Sequence, residues 1–340
     1  MSEIAVIGAG AWGTALSIVL GRKGTHTVRL WVYEKELCSN IARHRTNENF
    51  LRGQRIPETV IPSTDLGNTL AGASIVVSVM PSQHCRQLFE QMRPHLRDET
   101  IIVSATKGLE ENSLLRMTQV IAQTVESNRP QPPRIGALSG PSFALEVARG
   151  DPTAITIASA DINLARLVQR EFSDASFRVY TNDDPVGVEL GGALKNVIAI
   201  AAGVCSGLGL GHNSIAGLIT RGLAEMTRLA VACGGKAETM AGLAGLGDLV
   251  LTCTGDLSRN RAVGVQLGRG QKLPDILTGM HGMVAEGVFT TTAAMQLARS
   301  RGVDMPITEQ MFAILHESKA PRDAIYDLMT RSGKSETQQP

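Results

Sequence analysis

The feature that most constrains this chain is a glycine motif placed directly after its first apolar run. That run leads into GAGAWG at Gly8–Gly13, and the apolar stretch Thr14–Leu20 follows at once. The order strand, glycine turn, helix is the context in which a G-x-G-x-x-G spacing becomes informative. Gly8 allows the tight turn, Gly10 lets the backbone approach a pyrophosphate, and Gly13 lets helix and strand pack closely. The motif predicts a dinucleotide-binding βα unit, with an ordinary βα turn of an α/β fold as the alternative.

Composition limits the partners of the chain. Its 340 residues carry 33 basic and 32 acidic side chains, so no overall field directs it to nucleic acid or to a membrane, and any phosphate site must be local. The five cysteines are odd in number and contain no C-x-x-C pair, which argues against a disulfide framework or zinc ribbon and for a reducing compartment. No basic, cleavable apolar segment precedes the glycine motif, so we expect a cytoplasmic protein.

The first half of the chain alternates strand and helix signals, which predicts a parallel, doubly wound sheet. Further strands are predicted at 27–32, 74–80, 100–105, 135–138, 154–159 and 177–180, and helices at 83–92, 113–125 and 162–172. After Asp183-Asp184-Pro185 the strand signals vanish. We therefore predict a dinucleotide-binding domain over residues 1–182 and an all-helical domain over 183–330. The polar residues 331–340 are expected to be disordered.

A lysine stands alone in the most apolar stretch of the chain. Residues 190–211 carry a single charge, on Lys195. An isolated ammonium there costs several kcal/mol unless it is compensated, so chemistry is the first explanation to test. The stretch is long enough to suggest a membrane span, but its six glycines favour a buried helix that ends in a loop. Asp248 also lies in an apolar run, and if it meets Lys195 the pair could transfer a proton at a carbinol; the alternative is a structural ion pair.

Three further segments could contact a ligand. Lys107, in SATKGLE, follows a predicted strand and could reach a phosphate or a substrate oxygen, or be an ordinary loop lysine. SGPS at 139–142 could line a pocket with its amides and the Ser142 hydroxyl, or be only a serine-capped turn. Ser258-Arg259-Asn260-Arg261 could bind an anion such as a phosphate monoester, or be a charged surface turn.

The residues after the second strand leave the choice between NAD and NADP open. NAD-specific proteins usually carry an acidic residue there for the ribose hydroxyls. Here the chain reads LWVYEK, in which Glu34 is close to that position but not clearly in it, and Arg43 and Arg45 follow.

Five motifs occur together in a familiar order. GAGAWGTALS, SATKGLE, SGPSFALE, GGALKNVIAIAAG and GLGDLVLTCTGDLSRNR resemble the NAD(P)-dependent glycerol-3-phosphate dehydrogenases of the bacterial biosynthetic type, from Ile4 to about Leu328. The resemblance implies a Rossmann-like domain and a helical domain like the C-terminal domain of 6-phosphogluconate dehydrogenase. It also implies NADPH or NADH as cofactor and reduction of dihydroxyacetone phosphate to sn-glycerol 3-phosphate for phospholipid synthesis. A homodimer is a reasonable expectation for a helix-rich Rossmann enzyme.

Matching the motifs residue by residue implies roles for individual side chains. Lys195 would donate and accept the proton at the C2 oxygen of the substrate. Lys107, also catalytic, would touch substrate and nicotinamide, and Asp248 would be catalytic and contact the substrate. Further substrate contacts are implied for Gly140, Ser142, Asn196, Thr252, Ser258, Arg259 and Asn260. Cofactor contacts are implied for Gly8, Gly10, Ala11, Trp12, Gly13, Tyr33, Phe50, Lys107, Ala144, Arg259, Val284 and Glu286. No metal is implied. Tyr33 replaces a common arginine and Phe50 a common tyrosine, so cofactor preference is the least constrained property.

Two alternatives remain at this point. A reductase of another 2-oxo or 3-hydroxy acid could share the two-domain plan, but we would not expect it to contain the LSRNR segment. A nucleotide-sensing protein with an inactive site would bind the cofactor without turnover, and the presence of both Lys195 and Asp248 argues against it.

Overall fold

The chain forms two compact units in a computed structural model that describes residues 2–126, 131–280, 285–333 and 335–336. The first unit comprises Met1–Lys107 and Leu115–Glu189, and the second comprises Gly108–Leu114 and Leu190–Pro340. Our predicted boundary near residue 182 precedes this division. The grouping of residues 108–114 with the second unit depends on contacts that strand and helix patterns along the chain cannot anticipate.

The first unit is built on a sheet of eight strands. The ten strands in the described part of the chain are β1 Ser2–Ile7, β2 His26–Trp31, β3 Thr46–Asn47, β4 Leu51–Arg55, β5 Val60–Ser63, β6 Ile75–Ser78, β7 Ile101–Ser104, β8 Arg134–Ser139, β9 Thr153–Ala158 and β10 Phe177–Asn182. The large sheet has the order β10-β9-β8-β7-β6-β1-β2-β5, and β3 pairs only with β4. Chain order reverses between β6 and β1, so the predicted doubly wound architecture is confirmed.

The sheet departs from the prediction in two ways. The β8–β9 pair is antiparallel, whereas we predicted parallel strands throughout. Gly140, with φ of +142°, lies at the turn that follows β8. Strands β3, β4 and β5 were missed because they are short, and because Pro62 is an unusual residue for a strand. Its position in β5 is tolerated since β5 forms an edge of the sheet.

Seven helices cover the sheet of the first unit. They are α1 Ala11–Arg22, α2 Lys35–His44, α3 Leu66–Leu70, α4 Cys85–Met92, α5 Met117–Val125, α6 Ala144–Arg149 and α7 Ile162–Phe172. Helix α7 has the predicted bounds, and Asp161 caps it by accepting the backbone N–H groups of Asn163 and Leu164. Helix α5 begins later than the predicted residue 113, since Leu114 has a left-handed backbone (φ 59°) that cannot belong to a helix.

Both faces of the sheet are buried. One hydrophobic cluster contains Val77 and Val103, and a second contains Val76 and Ile102 from the same strands. Strands covered on both faces are apolar throughout instead of alternating, which is why β6 and β7 were recognisable in the sequence.

The second unit is helical. Its elements are α8 Pro185–Gly207, α9 His212–Ala232, α10 Ala237–Met240, a π-helical turn Leu243–Gly247, α11 Asp248–Thr254, α12 Arg259–Gly268, α13 Leu273–Gly279, α14 Glu286–Arg301, α15 Pro306–His316 and α16 Pro321–Met329. No strand follows Asn182 in the described part of the chain, as predicted. By length and composition α8 could cross a membrane, but its most apolar window is completely buried, so it serves as a core helix.

Glycines bring α8 and α12 into backbone contact. A Cβ atom on Gly203 would lie 2.1 Å from the carbonyl oxygen of Arg261, and one on Gly264 would lie 2.0 Å from that of Ile200. Real Cβ atoms do not approach backbone so closely, so both positions require glycine as the helices now stand.

Candidate active site

The glycine motif forms a turn with space in front of it. Gly8 has φ of +118°, and a Cβ on Gly13 would lie 1.9 Å from the Gly8 carbonyl oxygen, so neither position accepts a side chain. A Cβ on Gly10 would meet nothing within 4 Å. Gly10 is also the N-cap of α1 and provides no side-chain cap, so the first N–H groups of that helix point outward. An anionic pyrophosphate fits such a helix N-terminus.

The turn is supported by a residue that the sequence did not identify. Asn47 is fully buried, and its Nδ2 donates to the Ala9 carbonyl at 2.8 Å and to Thr14 Oγ1 at 2.8 Å. Its Oδ1 accepts the backbone N–H of Phe50. No local motif marks Asn47, because the two groups that its Nδ2 contacts lie more than 30 positions away in the chain.

Aromatic residues lie near the predicted adenosine end of the cofactor site. Tyr33 is 78% exposed just after β2 and forms an edge-on contact with Trp31. Phe50 is half-buried against the core. Glu34 is the N-cap residue of α2. The indole Nε1 of Trp12, in the motif itself, is buried without a hydrogen-bond partner among the described residues, as expected for a donor that a ligand would satisfy.

The carboxyl ends of β7 and β8 carry a second set of unsatisfied groups. The hydroxyls of Ser104 and Ser139 are buried and have no partner in the described part of the chain. Adjacent strands place both residues at one edge of the sheet, where ligands of doubly wound sheets bind. The residues found here therefore fit a dinucleotide, with the glycine turn as one end of the site.

Two predicted ligand-binding loops leave this edge. The loop with Lys107 is held by Thr106, whose hydroxyl donates to the Ser78 carbonyl at 3.2 Å. In the loop after β8, Ser142 donates its hydroxyl hydrogen to the Gly140 carbonyl at 2.9 Å. Ala144 is the first residue of α6. The predicted ligand contacts of Lys107, Gly140, Ser142 and Ala144 stay predictions.

In the second unit, Lys195 and Asp248 meet. Lys195 Nζ lies 2.5 Å from Asp248 Oδ1 and 2.7 Å from Thr252 Oγ1. Thr252 is bonded in turn to the Asp248 carbonyl at 2.6 Å. Lys195 and Asp248 are 6% and 1% exposed, so the pair lies in an environment of low polarity. There a charge interacts more strongly than in water, and the contact orients the ammonium.

The pKa of a neighbouring thiol indicates that this environment is apolar. Burial raises the pKa of Cys253 to about 12, although the positive charges of Lys195 and Arg261 act to lower it. The thiol is therefore protonated at neutral pH and inert as a nucleophile.

The SRNR segment begins α12 and divides into two kinds of residue. Ser258 Oγ caps the helix by accepting the N–H of Arg261, and the Arg261 guanidinium bonds Asp256 at 3.0 Å. Arg259 is exposed and Asn260 half-buried in the first turn. Of the two arginines, Arg259 is therefore the one placed to meet an anion.

Asn260 also joins α12 to α14. Its Oδ1 accepts the N–H of Gly287 at 3.0 Å, which supplies α14 with a cap from another helix. A Cβ on Gly287 would lie 2.7 Å from the Asn196 carbonyl oxygen and 2.8 Å from Asn260 Oδ1, so these residues are neighbours. The predicted contact Glu286 is the first residue of α14, and Val284 lies outside the described residues.

Comparison with known proteins agrees with this geometry. Family models described as the N-terminus and the C-terminus of NAD-dependent glycerol-3-phosphate dehydrogenase match residues 3–165 and 184–326. The glycerol-3-phosphate dehydrogenase (NAD(P)+) of Koribacter versatilis is 66% identical over 336 residues, which are 99% of each chain. That of Syntrophotalea carbinolica is 55% identical over 98% of this chain and 99% of the other.

A solved structure extends the similarity to three dimensions. The crystal structure of glycerol-3-phosphate dehydrogenase from Coxiella burnetii has a TM-score of 0.91 at 42% identity and covers 97% of this chain and 99% of that one. The agreement thus spans both units rather than the dinucleotide fold alone. The chain belongs to the NAD-dependent glycerol-3-phosphate dehydrogenase family of NAD(P)-dependent oxidoreductases.

Proposed function

We propose that this chain catalyses the reversible reduction of dihydroxyacetone phosphate to sn-glycerol 3-phosphate with NADH or NADPH, and that Lys195 moves the proton. The names of its relatives support the reaction. The observation that carries the role of Lys195 is its buried 2.5 Å contact with Asp248. A lysine so enclosed and so oriented can hold a proton at a defined point.

The bound nicotinamide cofactor supplies the hydride. During reduction the Lys195 ammonium donates a hydrogen bond to the C2 oxygen and polarises the carbonyl. As C2 accepts the hydride, the oxygen takes the proton from Nζ, and the carbonyl becomes a secondary alcohol. In oxidation the neutral amine must accept the hydroxyl proton instead. Since a free lysine has a pKa of about 10.4, oxidation should become faster as the pH rises.

Asp248 and Thr252 act as positioning residues in this scheme. Both accept hydrogen bonds from Nζ, and together they orient the ammonium group. The Asp248 carboxylate also offsets the cost of holding a positive charge in the interior. A misdirected ammonium would lose most of its effect, because a displacement of about 1 Å can cost on the order of a hundredfold in rate.

The start of α12 supports binding of the substrate phosphate. Arg259 offers a planar guanidinium that can bind two phosphate oxygens at once, and the helix N-terminus adds backbone donors. Asn260 and the Ser258 hydroxyl are further contacts in this proposal, with Asn196 nearby on α8. Lys107, Gly140 and Ser142 would contact the rest of the substrate.

The first unit would hold the cofactor. Gly8, Gly10 and Gly13 would shape the pyrophosphate site, which the positive φ of Gly8, the open space at Gly10 and the close approach at Gly13 support. We assign the other contacts to Ala11, Trp12, Tyr33, Phe50, Lys107, Ala144, Arg259, Val284 and Glu286. In the same proposal the product feeds phospholipid synthesis in the cytoplasm, and the enzyme is a homodimer.

The proposal is tested by adding dihydroxyacetone phosphate to the purified protein with NADPH or with NADH and following loss of the reduced cofactor's near-ultraviolet absorbance. Turnover confirms the reaction, and the ratio of rates gives the cofactor preference that Tyr33 and Phe50 leave open. No turnover in protein that binds the nucleotide would reject it.

The phosphate site is tested separately with Arg259→Ala. This variant should lose most of its activity toward dihydroxyacetone phosphate but little of its weaker activity toward dihydroxyacetone, which has no phosphate. Equal losses on both substrates would contradict the assignment.

A further inference from the structure

The π-helical turn that precedes Asp248 is an unusual feature at a significant position. The N–H of Gly247 bonds the Gly242 carbonyl at 3.1 Å, five residues back, and the α-helical pattern resumes at Asp248. A π-helical turn inserts an extra residue and rotates whatever follows it about the helix axis. The direction in which Asp248 leaves α11 therefore depends on this turn.

A glycine on α8 makes room for the turn. A Cβ on Gly191 would lie 2.5 Å from the Ala244 carbonyl oxygen, 3.1 Å from the Ala244 carbonyl carbon and 3.5 Å from the Gly245 Cα. These are backbone atoms, which cannot move aside as a flexible side chain can. The turn thus rests directly on the backbone of α8 at Gly191.

This contact and the ion pair lie one helical turn apart. Gly191 and Lys195 are four residues apart on α8, and Ala244 and Asp248 are four residues apart on the facing segment. Residues at that spacing share a helix face. The contact between Gly191 and Ala244 and the contact between Lys195 and Asp248 lie on the same face of α8. The distance between the backbones at Gly191 and Ala244 therefore determines the distance between Lys195 Nζ and Asp248 Oδ1.

We propose that Gly191 is a positioning residue for the reaction: it lets the turn Leu243–Gly247 approach α8 closely enough to set Asp248 against Lys195. The inference rests on the proposed function, which assigns proton transfer to Lys195. A methyl group at Gly191 would have to push the turn outward by roughly 1 to 1.5 Å to reach ordinary van der Waals contact. The 2.5 Å contact between Nζ and Oδ1 would lengthen by a similar amount.

The charged groups around Lys195 and Asp248 determine how the protonation of Lys195 would then change. Besides Asp248, the charge of Arg261 on α12 and the neutral thiol of Cys253 lie in this region. A close carboxylate favours the ammonium form of a lysine. Moving Asp248 away should therefore let the neutral amine form at a lower pH, while the cofactor site in the first unit keeps its structure.

The experiment measures kcat, KM and the pH profile of glycerol 3-phosphate oxidation for Gly191→Ala. We expect kcat to fall about tenfold to a hundredfold. The alkaline limb of the profile should move to lower pH, and NADPH affinity should stay within about twofold. The double variant Gly191→Ala with Asp248→Glu carries a carboxylate that reaches one methylene further. It should recover part of kcat and return the alkaline limb of the profile to higher pH. An unshifted profile would overturn the proposal.

Two matched alanine variants serve as controls. Gly203→Ala is at least as crowded on the same helix but faces α12, with its Cβ 2.1 Å from the Arg261 carbonyl, so it should lower stability without moving the pH limb. Gly217→Ala lies on α9 with nothing within 4 Å and should change neither. If the alkaline limb shifted as far in Gly203→Ala as in Gly191→Ala, any disturbance of α8 would be enough to cause the shift. That result would reject a specific role for Gly191.

A second variant approaches the turn from its other side. A Cβ on Gly245 would lie 2.0 Å from the Met240 carbonyl, so Gly245→Ala should distort the turn and shift the limb in the same direction. If both glycine variants fail to fold, Gly191 is a packing residue and the proposal is wrong. Measuring Lys195→Ala alongside distinguishes a failure of the inference about Gly191 from a failure of the proposed function. Unimpaired turnover in that variant would reject the proposed function itself.

Discussion

The two units form their functional sites in different ways, the first from backbone and the second from side chains. In the first unit the pyrophosphate site is backbone: three glycines within six residues and a helix N-terminus. In the second unit it is side chain: Lys195 meets Asp248 and Thr252, which lie 53 and 57 positions further along the chain. A backbone site should be destroyed by adding atoms and a side-chain site by removing them.

The largest effect is expected from Lys195→Ala. Positioned proton transfer contributes about 10² to 10⁴-fold to rate, so kcat should fall by that factor in both directions. NADPH affinity should be unchanged, because the glycine turn lies in the other unit. Single-turnover kinetics would measure the first quantity. Quenching of the fluorescence of Trp12, which lies within the glycine motif, would measure the second.

The same variant could contradict the contrast. If Lys195→Ala lost cofactor binding along with turnover, the lysine would be needed for the fold or the cofactor rather than for the proton. Asp248→Asn is the natural companion, since it keeps the shape of the side chain but removes the charge that Lys195 faces.

The contrast also explains what could be predicted from the sequence. The glycine turn was predictable because its residues are adjacent and each glycine has one steric reason to be there. Lys195 and Asp248 could each be recognised as costly charges in apolar runs, but their contact could not, because it depends on the packing of α8 against α11. Asn47, Gly191 and the π-helical turn gave no signal, since their roles exist only through partners distant in the chain.

The next prediction concerns pH and a buried carboxylate of the second unit. Glu225 on α9 accepts the N–H groups of Ile307 and Thr308, at 2.5 and 3.2 Å, and so caps α15. Burial raises the pKa of Glu225 to about 7 from 4.5, although these bonds and the charge of Arg228 lower it. The folded state therefore holds the proton more tightly than the unfolded one. The contribution of Glu225 to stability should be fully present below about pH 4.5 and decrease by roughly 3 kcal/mol as the pH rises to 7.

Carboxylates of the first unit should respond in the opposite direction. The backbone N–H of Leu164 is the main cause that lowers the pKa of Asp161, so its stabilising contribution is lost as the pH falls. Both tryptophans, Trp12 and Trp31, lie in the first unit, so fluorescence follows its unfolding while circular dichroism follows the helices of both units. Glu225→Gln should flatten the pH dependence of the stability measured by circular dichroism but not that of the stability measured by fluorescence. A flattened fluorescence transition would show that the units do not unfold separately.

A smaller effect separates two glycines of the same turn. Gly10→Ala adds its methyl group to open space, so the free energy of unfolding should change by less than about 0.5 kcal/mol while cofactor affinity falls. Gly13→Ala forces a Cβ to within 1.9 Å of the Gly8 carbonyl and should cost about 1 to 3 kcal/mol of stability as well. Thermal unfolding and NADPH titration of both variants would measure this. Unchanged NADPH affinity in Gly10→Ala would mean that the space before Gly10 is not a ligand site.

The smallest effect tests whether the backbone site depends on one side chain. Asn47→Ala removes two hydrogen bonds to the glycine turn and leaves the Ala9 carbonyl buried with one partner fewer, at a cost of about 1 to 2 kcal/mol. Because Asn47 contacts the turn and not the space in front of it, NADPH affinity should fall only as far as the turn loosens. Thr14→Val removes the hydroxyl that bonds both Asn47 and the Ala9 carbonyl but keeps the bond between Asn47 and Ala9; it is the matched control and should cost less. A large affinity loss in Asn47→Ala with unchanged stability would mean that Asn47 touches the cofactor itself, and the first site would then be built from side chains as well.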